Sequence, residues 1–148
     1  QINVGTSVLL PESFIPDLQV RLGVYRRMAD LPTQDELDGF AAELQDRFGR
    51  LPEEVEHLID IVSVKLLCRT ANVSNIDAGP KGAVFVFRDA KFPNPEALVQ
   101  WINDQGSRAK IRPDMKLVII RTWETPADRL AGTRQLMQTL VKLAQPES

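Results

Sequence analysis

The chain has 148 residues, 43% hydrophobic and 26% charged, a length that suits one ordinary domain with a core that needs neither disulfides nor a structural metal. The composition is too apolar for disorder, and no apolar run reaches the roughly 18 residues of a membrane span. Eighteen Lys and Arg against twenty Asp and Glu leave a net charge of −2, which alone favours no class of partner.

Ile2 to Leu10 is rich in Val and Leu and stops at Pro11, so it reads as a short leading strand or extended arm. The chain opens on strand-like residues without a methionine. It is therefore expected to be a piece of a longer protein, with residues 1–15 an arm arriving from an upstream linker. A first helix is expected from Pro16, a residue tolerated in a first turn, with Leu18, Leu22, Tyr25 and Ala29 on one face and Arg21, Arg26 and Arg27 on its polar flank. A second helix is marked by Thr33 and Glu36 at capping-box spacing and by a stripe of Leu37, Phe40, Ala41, Leu44 and Phe48, and Gly49 ends it. Pro52 opens a third, with Glu53 and Glu54 in the first turn where the helix dipole favours carboxylates. It is apolar around most of its circumference, leaving a polar strip at Glu53, Glu56, Asp60 and Ser63, and is expected to run to about Thr70 as the central helix.

Beyond it the period changes. Val73 to Ala78 and Ala83 to Arg88 flank the turn Gly79-Pro80-Lys81-Gly82, a hairpin signal. Asn94-Pro95-Glu96 is a cap, a first-turn proline and a dipole-matching acid, and opens a helix through Leu98, Trp101 and Ile102 to Gly106. Strands over Ala109 to Arg112 and Leu117 to Arg121 flank Pro113-Asp114, and a last helix starts at Thr125-Pro126. The fold class is α+β: an N-terminal three-helix segment followed by β-hairpins with two further helices, as one domain over 1–148.

Charge is unevenly spread along this order. Residues 30–60 hold ten acids against Arg47 and Arg50, half of all the carboxylates in about a fifth of the chain. Glu36, Gly39, Glu43 and Asp46 fall at i, i+3, i+7 and i+10, one stripe opposite Phe40, Leu44 and Phe48. Like charges so placed repel, and a basic partner surface would relieve them; a plain solvated face is the alternative. A second charged set, Arg108, Lys110 and Arg112, alternates as if on one strand face, with Lys116 and Arg121 nearby. These suggest either a solvated sheet face or a nucleic-acid contact, although no stacking aromatics interleave with them.

Other chemistry is sparse. His57 is the lone histidine and reads as a surface or half-buried residue, and Cys68, the lone cysteine, as a small core side chain. No ligand spacing suggests a metal site, and the Gly-Lys turn at 79–82 lacks the phosphate-loop spacing and precedes a strand.

Several runs resemble one family: Ile2-Asn3-Val4-Gly5, Leu10-Pro11-Glu12, Arg21-Leu22-Gly23-Val24-Tyr25-Arg26-Arg27, Ile76-Asp77-Ala78-Gly79-Pro80-Lys81-Gly82 and, above all, Glu43-Leu44-Gln45-Asp46-Arg47-Phe48-Gly49-Arg50-Leu51-Pro52. Together they look like the C-terminal domain of the bacterial transcription-repair coupling factors, in a proteobacterial style. The resemblance implies a parent that is a large ATP-dependent DNA translocase, using ATP and magnesium in upstream motors and binding RNA polymerase, duplex DNA and the excision-repair damage-recognition subunit in the cytoplasm. It implies no cofactor, no catalysis and no membrane contact for this domain. In the family this domain packs on the N-terminal module of the same protein and masks the site for the damage-recognition subunit. Carried over by motif, Glu43, Asp46 and Arg47 make that intramolecular contact, the carboxylates facing arginines, with Glu36 extending the acidic face. The alternative function is a nucleic-acid-binding module using Arg108, Lys110, Arg112 and Lys116.

Overall fold

The computed structural model describes residues 1–5 and 9–145. Residues 6–8, inside the expected Ile2 to Leu10 segment, lie outside the described residues. The chain divides into two compact units, Ser7–Leu66 and Gln1–Thr6 with Leu67–Ser148.

The first unit holds helices α1 (Leu18–Ala29) and α2 (Gln34–Phe48) and the larger part of α3 (Glu53–Ala71). Ahead of α1, Pro11–Phe14 forms a turn in which the Phe14 and Ile15 amides both donate to the Pro11 carbonyl. The helix begins at Leu18, two residues later than its proline suggests. Asp17 is the N-cap, its side chain accepting from the Val20 amide, and Pro16 precedes the cap. The core of this unit gathers Phe14, Ile15, Val24, Met28, Leu37, Phe40, Leu44 and Val55.

The face of α1 that enters this core differs from the expected one. Val24 and Met28 are buried, whereas Leu18 and Leu22 stay 56% and 37% exposed. The helix carries two apolar rows, and Val20, Val24 and Met28 form the second. The incoming chain decides between them: the Arg21 guanidinium donates to the Ile15 and Pro16 carbonyls, and the Leu10 amide donates to the Tyr25 hydroxyl at 2.6 Å. The flank that Leu18 and Leu22 share is left outside. A smaller departure concerns Ser63, expected on the polar strip of α3. It is 2% exposed and donates to Gln34 Oε1 at 2.6 Å, so a buried hydroxyl is satisfied from α2.

The second unit is a mixed five-stranded sheet with two helices. Its strands are β1 (Ile2–Asn3), β2 (Val73–Gly79), β3 (Gly82–Phe87), β4 (Ala109–Ile111) and β5 (Leu117–Ile120), in the spatial order β1-β2-β3-β5-β4. All neighbours are antiparallel except β1 and β2, which are parallel. The β2–β3 loop is Pro80-Lys81, and Gly82 follows it at φ 130°. A Cβ there would run into the Ile119 carbonyl of β5, so glycine is required by both conformation and space.

Alternation sorts the sheet into two faces. Ile2, Ile76, Phe85, Leu117 and Ile111 lie in register across the five strands on the apolar face, with Ile76, Phe85 and Leu117 buried. Asn3, Asp77, Val84, Val118 and Lys110 form the matching row on the other. Helix α4 (Pro95–Gln105) packs on β4, and α5 (Pro126–Ala144) on β2 and on α4. Both start as their capping signals require: Asn94 accepts from the Ala97 amide and Thr125 from the Asp128 amide, each followed by proline at the first helical position. The fold is α+β, three N-terminal helices followed by hairpins and two further helices.

Candidate functional site

The acidic stripe lies on α2, whose two faces are set by burial. Leu37, Phe40 and Leu44 are 0–3% exposed, which turns the opposite side of the helix to solvent. Thr33 caps the helix by accepting from the Glu36 amide at 3.2 Å, and Gly49 closes it at φ 93° with its amide on the Gln45 carbonyl. Glu36, Gly39, Asp46 and Arg47 are exposed and Glu43 is half-buried. The four-residue stripe read from the sequence is therefore one continuous surface.

Glu43 already has a partner within the domain. The Arg27 guanidinium, in the last turn of α1, meets it as a two-pronged fork, Nη1 to Oε2 at 2.6 Å and Nη2 to Oε1 at 3.1 Å. Arg47, one turn further along α2, brings Nη1 to 3.7 Å from Oε2. Both guanidinium groups lie on aromatic rings, Arg27 at 4.6 Å from the Phe40 centroid and Arg47 at 4.8 Å from that of Phe48. Phe48 in turn packs on Phe14, with centroids 5.6 Å apart. The hydrogen bonds from Arg27, helped by the charge of Arg47, hold the Glu43 carboxyl below its ordinary range, and the same pair raises Arg27. Asp46 makes no ion pair among the described residues. Gln34 donates to Asp38 at 2.8 Å, which ties down another acid of the first turns.

The repulsion expected along the stripe is thus relieved internally at Glu43, while Glu36 and Asp46 stay open. Arg27 is the residue that the sequence pattern did not single out for this role. Its signal is present in hindsight: a basic pair, Arg26-Arg27, ends one helix, and a link of four residues leads into an acidic helix, so an antiparallel pair would face them.

The basic set is less coherent. Arg108 lies in a 3-10 turn (Gly106–Arg108), and β4 spans only Ala109–Ile111, so of Arg108, Lys110 and Arg112 only Lys110 is on the strand. Arg112 donates to Asp114 at 2.8 Å and Lys116 approaches the same carboxylate at 3.8 Å. Desolvation acts against ionising Asp114, but the Lys116 amide and the two cations outweigh it and lower its pKa. Arg121 is spent on the Arg108 carbonyl and on Gln105 Oε1.

Of the remaining candidates, His57 is half-buried with Nε2 at 3.6 Å from Glu53 Oε1. Cys68 is 8% exposed, and burial pushes its thiol up to about 11, which disfavours the thiolate that a nucleophile needs. Among the described residues, no group of three or more His, Cys, Asp or Glu side chains is arranged to hold a metal ion, and no helix is long and apolar enough to cross a membrane. An apolar pocket of about 650 Å³ lies in the second unit, walled by Phe87, Phe92, Leu98, Ile102 and Met115.

Comparison with known proteins converges on one family. A family model described as the TRCF domain matches residues 4–98. Transcription-repair-coupling factors from Rickettsia conorii and Escherichia coli K12 are 40% identical over 121 residues and 31% identical over 140 residues, covering 81% and 95% of this chain. The protein of that name from Haemophilus influenzae is 36% identical over 139 residues, or 94% of the chain. The chain spans only 11–12% of the length of these relatives. In fold it is similar to a crystal structure of the C-terminal domain of transcription-repair coupling factor, with TM-score 0.76 and 14% identity over 97% of this chain and 92% of that one. With a family model covering more than half of its length and relatives above 30% identity across nearly all of it, the chain belongs to the transcription-repair coupling factor family, as its C-terminal TRCF domain.

Proposed function

We propose that this chain is a non-catalytic, autoinhibitory domain. Through α2 it docks on the N-terminal module of the same protein and masks that module's site for the excision-repair damage-recognition subunit. The observation that carries this is the placement of Glu43, Asp46 and Arg47 together on the solvent side of a helix whose other side is core. The carboxylates accept from arginines of the module, Arg47 offers a donor beside them, and Glu36 extends the acidic face. The parent is an ATP- and magnesium-dependent DNA translocase of the cytoplasm that engages RNA polymerase and duplex DNA. Those activities reside outside the segment described above.

Tethering makes such a clamp workable with a modest interface. An effective concentration on the order of millimolar closes an interface of about micromolar Kd roughly 10³ to 1. Opening then requires about 4 kcal/mol, which preferential binding of polymerase and DNA to the open state supplies. Charge reversal at Glu43 and Asp46 in the full-length protein tests the clamp: affinity for the damage-recognition subunit rises if the site is unmasked, and unchanged affinity refutes the docking.

A nucleic-acid-binding module built on Arg108, Lys110, Arg112 and Lys116 is less well supported. Asp114 neutralises part of that set, and Arg108 leaves the strand face.

A further inference from the structure

Resting on that docking, we infer that Arg27 is a positioning residue of the interface: stacked on Phe40 and forked onto Glu43, it holds the carboxylate in one orientation, ready for a partner surface that presents two cationic side chains.

The fork is mounted on a rigid support. Phe40 is 3% exposed and belongs to the core, so a guanidinium lying on its ring is fixed relative to the helix pair rather than to solvent. On the other side, Arg47 lies on Phe48, which packs on Phe14. Glu43 is thus flanked by two cations, each seated on an aromatic side chain. A glutamate free on a helix surface samples many rotamers and loses them on binding. Here that ordering is already made in the free domain, which is how preorganisation raises affinity without a new contact.

The fork does not close the site. A carboxylate offers about four lone-pair positions, and Arg27 takes one on each oxygen. The Glu43 side chain remains 39% exposed. Asp46, at i+3 on the same surface, is the second acceptor, and side chains so spaced on a helix have Cβ atoms about 5–6 Å apart. The complementary partner therefore presents two Arg or Lys side chains at about that separation. The acidic excess of residues 30–60 draws a basic surface in at long range. At the contact itself Arg27, Arg47, Glu43 and Asp46 together carry no net charge, so short-range geometry, which Arg27 sets, decides how the two surfaces seat.

The test uses the full-length protein and its affinity for the damage-recognition subunit as the readout of unmasking. Arg27→Ala raises that affinity about three- to tenfold, the scale of one side chain's lost preorganisation. Arg27→Lys, which keeps the charge but not the fork, behaves like Arg27→Ala. In a Glu43→Gln background the Arg27→Ala effect disappears, which a general loosening of the fold would not produce. If charge reversal at Glu43 and Asp46 opens the clamp while both Arg27 variants leave it unchanged, docking stands and the positioning role is wrong. Lower affinity in Arg27→Ala makes Arg27 a competitor of the partner and overturns the inference. If charge reversal itself has no effect, the docking is refuted and the role of Arg27 falls with it.

Discussion

Truncating two leucines of the first unit separates what burial decides from what hydrophobic pattern suggests. Leu44 lies on the side of α2 opposite the acidic stripe and is 0% exposed among Phe40, Leu37 and Val55, whereas Leu18 on α1 is 56% exposed. Leu44→Ala removes about three buried methylene equivalents, about 2.4 kcal/mol at about 0.8 kcal/mol each. A residual cavity of about 40 Å³ adds about 1 kcal/mol at about 24 cal/mol per Å³. The total is about 3.4 kcal/mol, a large share of the roughly 5–15 kcal/mol stability of an ordinary domain. At about 2–4 °C per kcal/mol for a chain of this size, Tm falls by about 7–14 °C. For Leu18→Ala the expected loss is under about 1 kcal/mol, because most of that side chain is already wet and alanine suits a helix better. Urea and thermal unfolding followed by far-UV circular dichroism measure both. Comparable losses for the two variants would refute the assignment of α1's core face, since an inward Leu18 predicts parity.

Three further outcomes follow from other parts of the molecule. Gly82→Ala destabilises by about 2 kcal/mol or more, since it combines an unfavourable φ with a backbone collision at Ile119; unfolding within about 0.5 kcal/mol of the parent would refute that close approach. Because the folded state holds Glu43 below its ordinary pKa of 4.5, its ion pair contributes fully above that pH and is lost as pH falls through the depressed value. Stability measured from pH 6 downward should decline below about pH 4.5, and Glu43→Gln should flatten the decline; an unchanged profile would show that the fork adds nothing to folding. Titrated against duplex DNA at two salt concentrations, the chain should show no saturable binding. Tight binding with a steep salt dependence would instead assign function to the Lys110 and Arg112 side of the sheet.

Local chemistry makes most of the elements legible in the sequence itself. Thr33, Asn94 and Thr125 each cap the helix that their spacing announces, because a cap is a contact between residues about three apart and needs nothing from the rest of the chain. The same holds for the Gly79 to Gly82 hairpin, whose two central residues alone turn the strand. The stripe of Glu36, Glu43 and Asp46 follows from helical period once α2 is known, so the surface of the candidate site was also readable in advance.

Tertiary packing decided what period cannot. Two apolar rows compete on α1, and the chain running from Leu10 to Pro16, through Arg21 and Tyr25, selects Val24 and Met28 over Leu18 and Leu22. The leading segment contributes a two-residue strand that joins β2 in parallel, a pairing across more than 70 positions that no local signal encodes. Ser63 moves from an expected polar strip to a buried hydrogen bond because Gln34 of another helix reaches it. At the site itself, composition supplied an excess of carboxylates and a reason to seek a basic partner. The helix pair then placed Arg27 against Glu43, meeting that need in part from within. Short-range sterics and hydrogen bonding are properties of a segment. The side chain that faces a given carboxylate depends on how two segments pack, and the fold alone determines that.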